Sequence, residues 1–247
     1  MQNQIPTWVL CGAVVLAFSA GILNTTALMG FTHVSASHVT GNISSVALTF
    51  YHGDFDNLRL FLISIASFWL GSVLSGMIIG GSELNVKRHY GYAMYLEFVL
   101  LCGSLWLYWR GNDYGQMLIA MACGLQNSMV ATYHGAVVRT THLTGVTSDL
   151  GAMVGHWLVG RKISIAKMAL HSALWWGFFF GGFVAVYLYE HYGYLSMLLP
   201  ITIILVSAVS YEHMERWFNA SHRMVRFAII KQKRKKSKNK NKKRRHL

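Results

Sequence analysis

Residues 34–44 read VSASHVTGNIS, and residues 138–148 read VRTTHLTGVTS. Val, His, Thr, Gly and Ser recur at one constant spacing, so that Val34 matches Val138, Gly41 matches Gly145 and Ser44 matches Ser148. A self-match of this kind governs how the rest of the chain is read. It extends outward on both sides. Gly21 and Asn24 match Gly124 and Asn127, and His52 matches His156. Further on, Trp69, Gly71 and Gly76 match Trp175, Gly177 and Gly182, and HYGY occurs at 89–92 and again at 191–194. Each half therefore carries a long apolar segment, a polar Thr-Gly segment, and two more apolar segments.

The composition belongs to a membrane protein. Hydrophobic residues make up 53% and charged residues 13%, with 2 prolines and a mean hydropathy of +0.36. No Asp, Glu, Lys or Arg precedes Asp54. Uncharged runs cover 60–82, 114–138, 168–189 and 191–211, and 91–109 is broken only by Glu97. Each is near the roughly 20 residues that a helix needs to cross the hydrocarbon core. Residues 7–28 read as a first membrane helix and not as a cleaved signal. Helices are expected because backbone groups in lipid must be paired within the segment. The three cysteines have no metal-like spacing and are expected as small buried helix residues.

The fold expected is an all-α polytopic membrane protein built from two internal repeats. Residues 1–110 form the first repeat and 111–211 the second. Residues 212–230 combine Trp217, Phe218 and Phe227 with Arg216, Arg223 and Arg226, and suit an amphipathic interfacial helix. Residues 231–247 are expected to be a disordered basic cytoplasmic tail. The segments 37–51 and 141–157 are short and polar. As half-helices they leave about six full spans and inverted repeats; as full crossings they give eight spans and parallel repeats. Six spans leave only Arg59 and Arg110 outside, whereas eight leave Lys87, Arg88 and Arg139 outside. The positive-inside bias favours six, and the basic tail puts the C-terminus in the cytoplasm.

Much of the formal charge of +13 lies in the tail. Anionic lipid headgroups are its expected partner, at about 1 kcal/mol per basic residue near the surface. Nucleic acid is not expected, because no aromatic residues interleave with the basic ones.

Chemistry is expected in the repeated polar motif. Thr is read as a cap for a helix start at Thr40 and Thr144, and Gly41 and Gly145 as points where a ligand approaches the backbone. Exposed N–H groups and the helix dipole suit an anionic or carbonyl-bearing ligand. Asn42 is replaced by Val146 in the second half, so the two sites differ. Thr40, Gly41, Asn42, Thr144, Gly145, Asn24 and Asn127 are the candidate substrate-binding residues. The alternative for Thr-Gly and Asn alike is close helix packing or a helix–helix clamp. Asp149 and Glu97 are the candidates for proton or ion coupling, with Arg139 placed to neutralise Asp149 if the chain folds back. The alternative for Glu97 is a side chain reaching toward the headgroups. His38 and His142 adjoin the motif and are expected to hydrogen-bond the loop. No metal site, cofactor or enzyme signature is expected.

At these residues the chain resembles the YoaK-like family of bacterial inner-membrane proteins, domain of unknown function 1275. The resemblance rests on GILN at 21–24 with HVTGN at 38–42, and on GLQN at 124–127 with VVRTTHLTG at 137–145. It implies a compact polytopic protein of about six spans and no established substrate. A small secondary transporter is the first function expected, acting on an unknown small molecule. The alternatives are a non-transporting scaffold whose tail recruits an anionic partner, and a membrane-embedded enzyme acting on a lipid.

Overall fold

A computed structural model describes residues 7–30, 32–79, 89–129, 132–133, 136–137 and 140–217. The described residues are overwhelmingly helical. The helices are α1 (Thr7–Met29), α2 (Val39–His52), α3 (Phe55–Ile79), α4 (Tyr90–Trp109), α5 (Gly115–Ser128), α6 (Leu143–Leu158) and α7 (Ile165–Tyr192). A 3-10 turn (Gly193–Met197) leads into α8, residues 198–217. A two-residue antiparallel pair, Thr132–Tyr133 with Ala136–Val137, follows α5. The uncharged run 114–138 is thus not helical throughout, because α5 stops at Ser128.

Four stretches are long and apolar enough to cross a membrane: Leu10–Met29, Phe55–Ile79, Tyr90–Trp109 and Ile165–Trp217. The last contains α7, the 3-10 turn and α8. It is broken at Gly193, whose φ of 56° and ψ of −134° suit a residue without a Cβ. Between α2 and α3, Gly53 takes the left-handed conformation at φ 69°. Its N–H and that of Asp54 return to Phe50 and Thr49, closing the end of α2.

Two compact units are distinguished, residues 1–208 and 209–247. The described part of the second is helical, with Arg216 reaching Glu212 at 3.3 Å. Residues 218–230 of the expected interfacial helix, the whole tail 231–247, and Lys87, Arg88 and Arg139 lie outside the described residues.

In the first unit the broadest contacts are α1 on α7 and α3 on α5, while α2 lies on α3 and α6 on α7. Small residues make the close approaches possible. A Cβ at Gly71 would meet the backbone of Met121 and Leu125, and one at Gly124 would meet Phe68. Likewise Gly21 faces the backbone of Phe178 and Gly182, and Gly181 faces Phe18. Small residues let membrane helices approach to backbone contact, where dispersion replaces the missing hydrophobic drive. The outward faces carry Trp69, Met77, Trp106, Trp176 and Phe183, as a lipid-facing surface would.

Helix directions follow from the contacts at one end of the bundle. The Tyr194 ring, just beyond α7, stacks on Tyr108 in the last turn of α4 at 3.9 Å. Its hydroxyl sits over Gly30, just past α1. Tyr108 donates to Gln116 in the first turn of α5 at 3.0 Å. So α1, α4 and α7 end there, and α5 and α8 begin there. Among the cysteines, Cys123 is buried, but Cys11 is exposed on α1, against expectation. The residue type alone does not say which side of an all-apolar helix faces inward.

Candidate functional site

The stretch joining α1 to α2 is irregular yet buried. Val34 and Ala36 are essentially inaccessible, and Ser35 and Ser37 are buried beside them. Irregular backbone at membrane depth survives only where protein groups satisfy it. Here they do. The Asn24 side-chain oxygen accepts from Ser35 Oγ at 2.7 Å, from Ser37 N–H at 3.1 Å and from Ser37 Oγ at 2.8 Å. Asn42 donates to the Ser35 carbonyl at 2.8 Å, and Gln116 donates to the Val34 carbonyl. Ser64 of α3 reaches the same Ser35 carbonyl at 3.5 Å. The carbonyl of Asn24 is therefore fully occupied in tying the loop to α1.

The starts of α2 and α6 are built alike. Their N-caps are His38 (φ −92°, ψ 65°) and His142 (φ −87°, ψ 55°), and neither side chain makes a capping hydrogen bond. Thr40 and Thr144 are the second helical residues and do not cap, contrary to the sequence expectation. Each helix begins two residues earlier than a Thr cap requires. Both threonines are exposed. The glycines have a local cause. A Cβ on Gly41 would come 2.8 Å from His38 Nδ1, and one on Gly145 would strike the His142 ring. Each imidazole folds back over its own first turn, so the space above each glycine holds a histidine. Asn42 and its counterpart Val146 are both buried.

Asn127 occupies the matching place on α5, but its side-chain oxygen is buried with no hydrogen-bond partner among the described residues. The Thr140 hydroxyl, just before α6, is likewise buried and unpaired there. Asn24 is thus tied into its loop, whereas the oxygen of its sequence counterpart Asn127 has no partner among the described residues.

Asp149 finds partners on α7. Lys167 Nζ lies 3.1 Å and His171 Nε2 3.2 Å from the same carboxylate oxygen. The hydrogen bond from Lys167 holds the Asp149 carboxyl below its ordinary range, and the charges of Lys167 and His171 add to this against a small desolvation penalty. His171 Nδ1 lies 2.9 Å from the Lys167 carbonyl. Both ring nitrogens thus face oxygens. Asp149 is half exposed and His171 is not. Glu97 is the opposite case: its side chain is 0% exposed and neither oxygen has a hydrogen-bond partner among the described residues. It does not reach toward headgroups, because it points inward toward α5, where Cys123 lies within electrostatic reach.

Asn24 and Asn42 are therefore brought together around the first loop, joined by Ser35, Ser37, Ser64, Gln116 and Tyr108, which composition alone did not single out. Gln116 carried one usable signal, an amide just inside an apolar run. Lys167 and His171 carried another, two basic residues one turn apart at the start of an apolar helix. Thr40 and Thr144 stand apart from these networks, since α2 rests on α3 and α6 on α7.

The family model described as "Protein of unknown function (DUF1275)" matches residues 12–210. A UPF0700 transmembrane protein of Rhizobium meliloti (strain 1021) is 26% identical over 100 residues. That alignment takes in 40% of this chain and 44% of the relative, so the chain spans less than half of that relative's length. No solved structure matches. With four helical stretches long and apolar enough to cross a membrane and the family model running from α1 into α8, this multi-pass membrane chain belongs to the DUF1275 family.

Proposed function

We propose that the protein is a small secondary transporter whose substrate site lies between two inverted halves, each contributing a half-helix that begins near the bilayer midplane. The observation that carries this is the pair of short polar helices, α2 and α6, each entered from a polar stretch that holds buried groups.

The packing supports a duplicated chain. Gly71 meets Met121 and Gly124 meets Phe68; in the other pair, Gly181 meets Phe18 and Gly21 meets Phe178. Exchanging the halves maps one set onto the other. Buried Ser64, Ser67, Gly71 and Ser75 of α3 then fall opposite Leu174, Gly177, Gly181 and Ala185 of α7, all buried too. This register pairs Gly71 with Gly181, one helical turn from the sequence match with Gly177. Helix direction supports inversion, since α1 ends where α5 begins and α4 ends where α8 begins. Three spans per half give six in all.

Depth supports the half-helices. Ser64 lies nine residues into α3, about 14 Å along the helix at 1.5 Å per residue. Half the hydrocarbon core is roughly 15 Å. Ser35, bonded to Ser64, and Asn42, bonded to Ser35, therefore sit near mid-depth, and α2 climbs back to the surface at His52. Half-helix starts at mid-depth, in matching places of two inverted halves, are how many transporters build their binding sites. Asn24, Thr40, Gly41 and Asn42 of the first half and Asn127, Thr144 and Gly145 of the second are the proposed site. The open oxygens of Asn127 and Thr140 are donor-seeking positions for a substrate. The charge bias supports a cytoplasmic C-terminus.

Alternating access tests this. In a background lacking Cys11, Cys102 and Cys123, Thr40→Cys and Thr144→Cys are labelled with a membrane-impermeant thiol reagent from each side. A transporter exposes both positions to both sides in turn. Labelling of each from one side only would refute the proposal.

A further inference from the structure

We infer that Glu97 is the proton-carrying residue of this transporter and that the conformation seen is its protonated state. The inference rests on the transporter reading above.

Glu97 sits in α4, which packs on α5, α3 and the 3-10 turn. Its side chain is 0% exposed, and both oxygens lack hydrogen-bond partners among the described residues. None of the ion pairs among the described residues involves it. The facing elements offer no compensation. α5 contains no Asp, Glu, Lys, Arg or His, and its titratable group nearest Glu97 is the Cys123 thiol. α3 carries charge only at Asp56 and Arg59, at its first turns, and the 3-10 turn carries only Tyr194 as a titratable group. On α4 itself the other titratable side chains are tyrosines and Cys102.

A carboxylate with neither cation nor donor in such a place costs many times more than a neutral acid. The closed α4–α5 contact therefore admits Glu97 as the acid, and the carboxylate only when that contact opens to water. The step is balanced by water alone: the carboxylate takes a proton from one aqueous phase and returns it to the other. The second half has Leu199 and Pro200 at the matching part of α8, so Glu97 has no acidic counterpart there. Asp149 is unsuited to the task, since it is half exposed and already neutralised by Lys167 and His171.

The test uses the full chain in lipid nanodiscs and reads the infrared carbonyl band of a protonated carboxyl group. Wild type should show the band in neutral buffer, Glu97→Gln should lose it, and Asp149→Asn should keep it. Uniform carbon-13 glutamate labelling of wild type should shift the same band, which assigns it to a glutamate and not to an aspartate without relying on a variant's folding. Absence of the band, or a band untouched by the label, overturns the inference. Two-sided labelling of Thr144→Cys then separates the two claims. Its rate should vary with pH in the Glu97 background and lose that dependence with Glu97→Gln. Two-sided labelling with an unchanged pH profile refutes the carrier role and leaves the transporter standing. One-sided labelling at every pH refutes both.

Discussion

Gly71 and Gly76 lie on the same helix, yet alanine should act oppositely at the two. Nothing lies within 4 Å of a Cβ built on Gly76, which faces outward. On Gly71 the new carbon falls 2.8 Å from the Met121 carbonyl carbon and 2.9 Å from the Leu125 nitrogen. Comfortable contacts between heavy atoms lie at about 3.5–4.0 Å. The Met121 carbonyl oxygen is nearer still; the intruded atoms are backbone and cannot rotate away, so α3 and α5 must part by more than an ångström. Overpacking of this kind costs about 1–3 kcal/mol, and rigid backbone on both sides puts it at the upper end. Alanine returns about 1 kcal/mol of helix propensity at either site. Gly71→Ala should therefore lose a net of about 1–2 kcal/mol, or roughly 2–8 °C in Tm at about 2–4 °C per kcal/mol. Gly76→Ala should hold or gain. Thermal unfolding of the detergent-solubilised protein, followed by tryptophan fluorescence, compares them directly. Equal melting of the two variants would mean that α3 and α5 do not meet at Gly71.

Asn24→Ala strands three buried donors of the first loop, at about 1–3 kcal/mol for each group left unsatisfied. Asn127→Ala, whose oxygen has no described partner, should melt close to wild type; equal losses at the two sites would contradict the asymmetry. Because Lys167 holds the Asp149 carboxyl below its ordinary value, the pair stabilises the fold above the ordinary range, about pH 4, and loses that contribution as pH falls through the lowered value. An acid titration of Asp149→Asn should lack this component, and superimposable wild-type and variant curves would refute the tie between α6 and α7. Deleting residues 231–247 should leave the melting transition in place. The isolated tail should bind anionic vesicles in a salt-sensitive way, since the attraction is screened over about 8–10 Å. Salt-insensitive binding would refute a headgroup role.

Hydropathy located α1, α3 and α4 to within a few residues, because a helix that must fill the hydrocarbon core leaves a run of matching length. The short polar segments were legible for the converse reason: Ser, Thr and Asn at 37–51 and 141–157 are too costly for lipid and too regular for a loop. What an apolar run does not encode is which of its faces meets protein. Glu97 therefore looked able to reach the surface, and the end of α5 at Ser128 was hidden inside an uncharged run. Partners across space were hidden as well. Asp149 was read against Arg139, near in sequence, while its partners Lys167 and His171 come from the next helix. The Thr-Gly motif was legible as a helix start but not in its detail. The histidine ring that explains the glycine sits three residues upstream, a relation that only the folded turn creates.

The central claim is that α2 and α6 are half-helices that start at mid-depth and leave toward opposite faces. Spin labels placed one at a time at residues 40, 52, 144 and 156, in the cysteine-free protein in lipid bilayers, report depth through their relaxation by oxygen and by a water-soluble nickel complex. The account predicts labels 40 and 144 near the bilayer centre, with 52 and 156 at opposite headgroup layers. Labels 40 and 144 at opposite surfaces, or 52 and 156 at the same one, would contradict it.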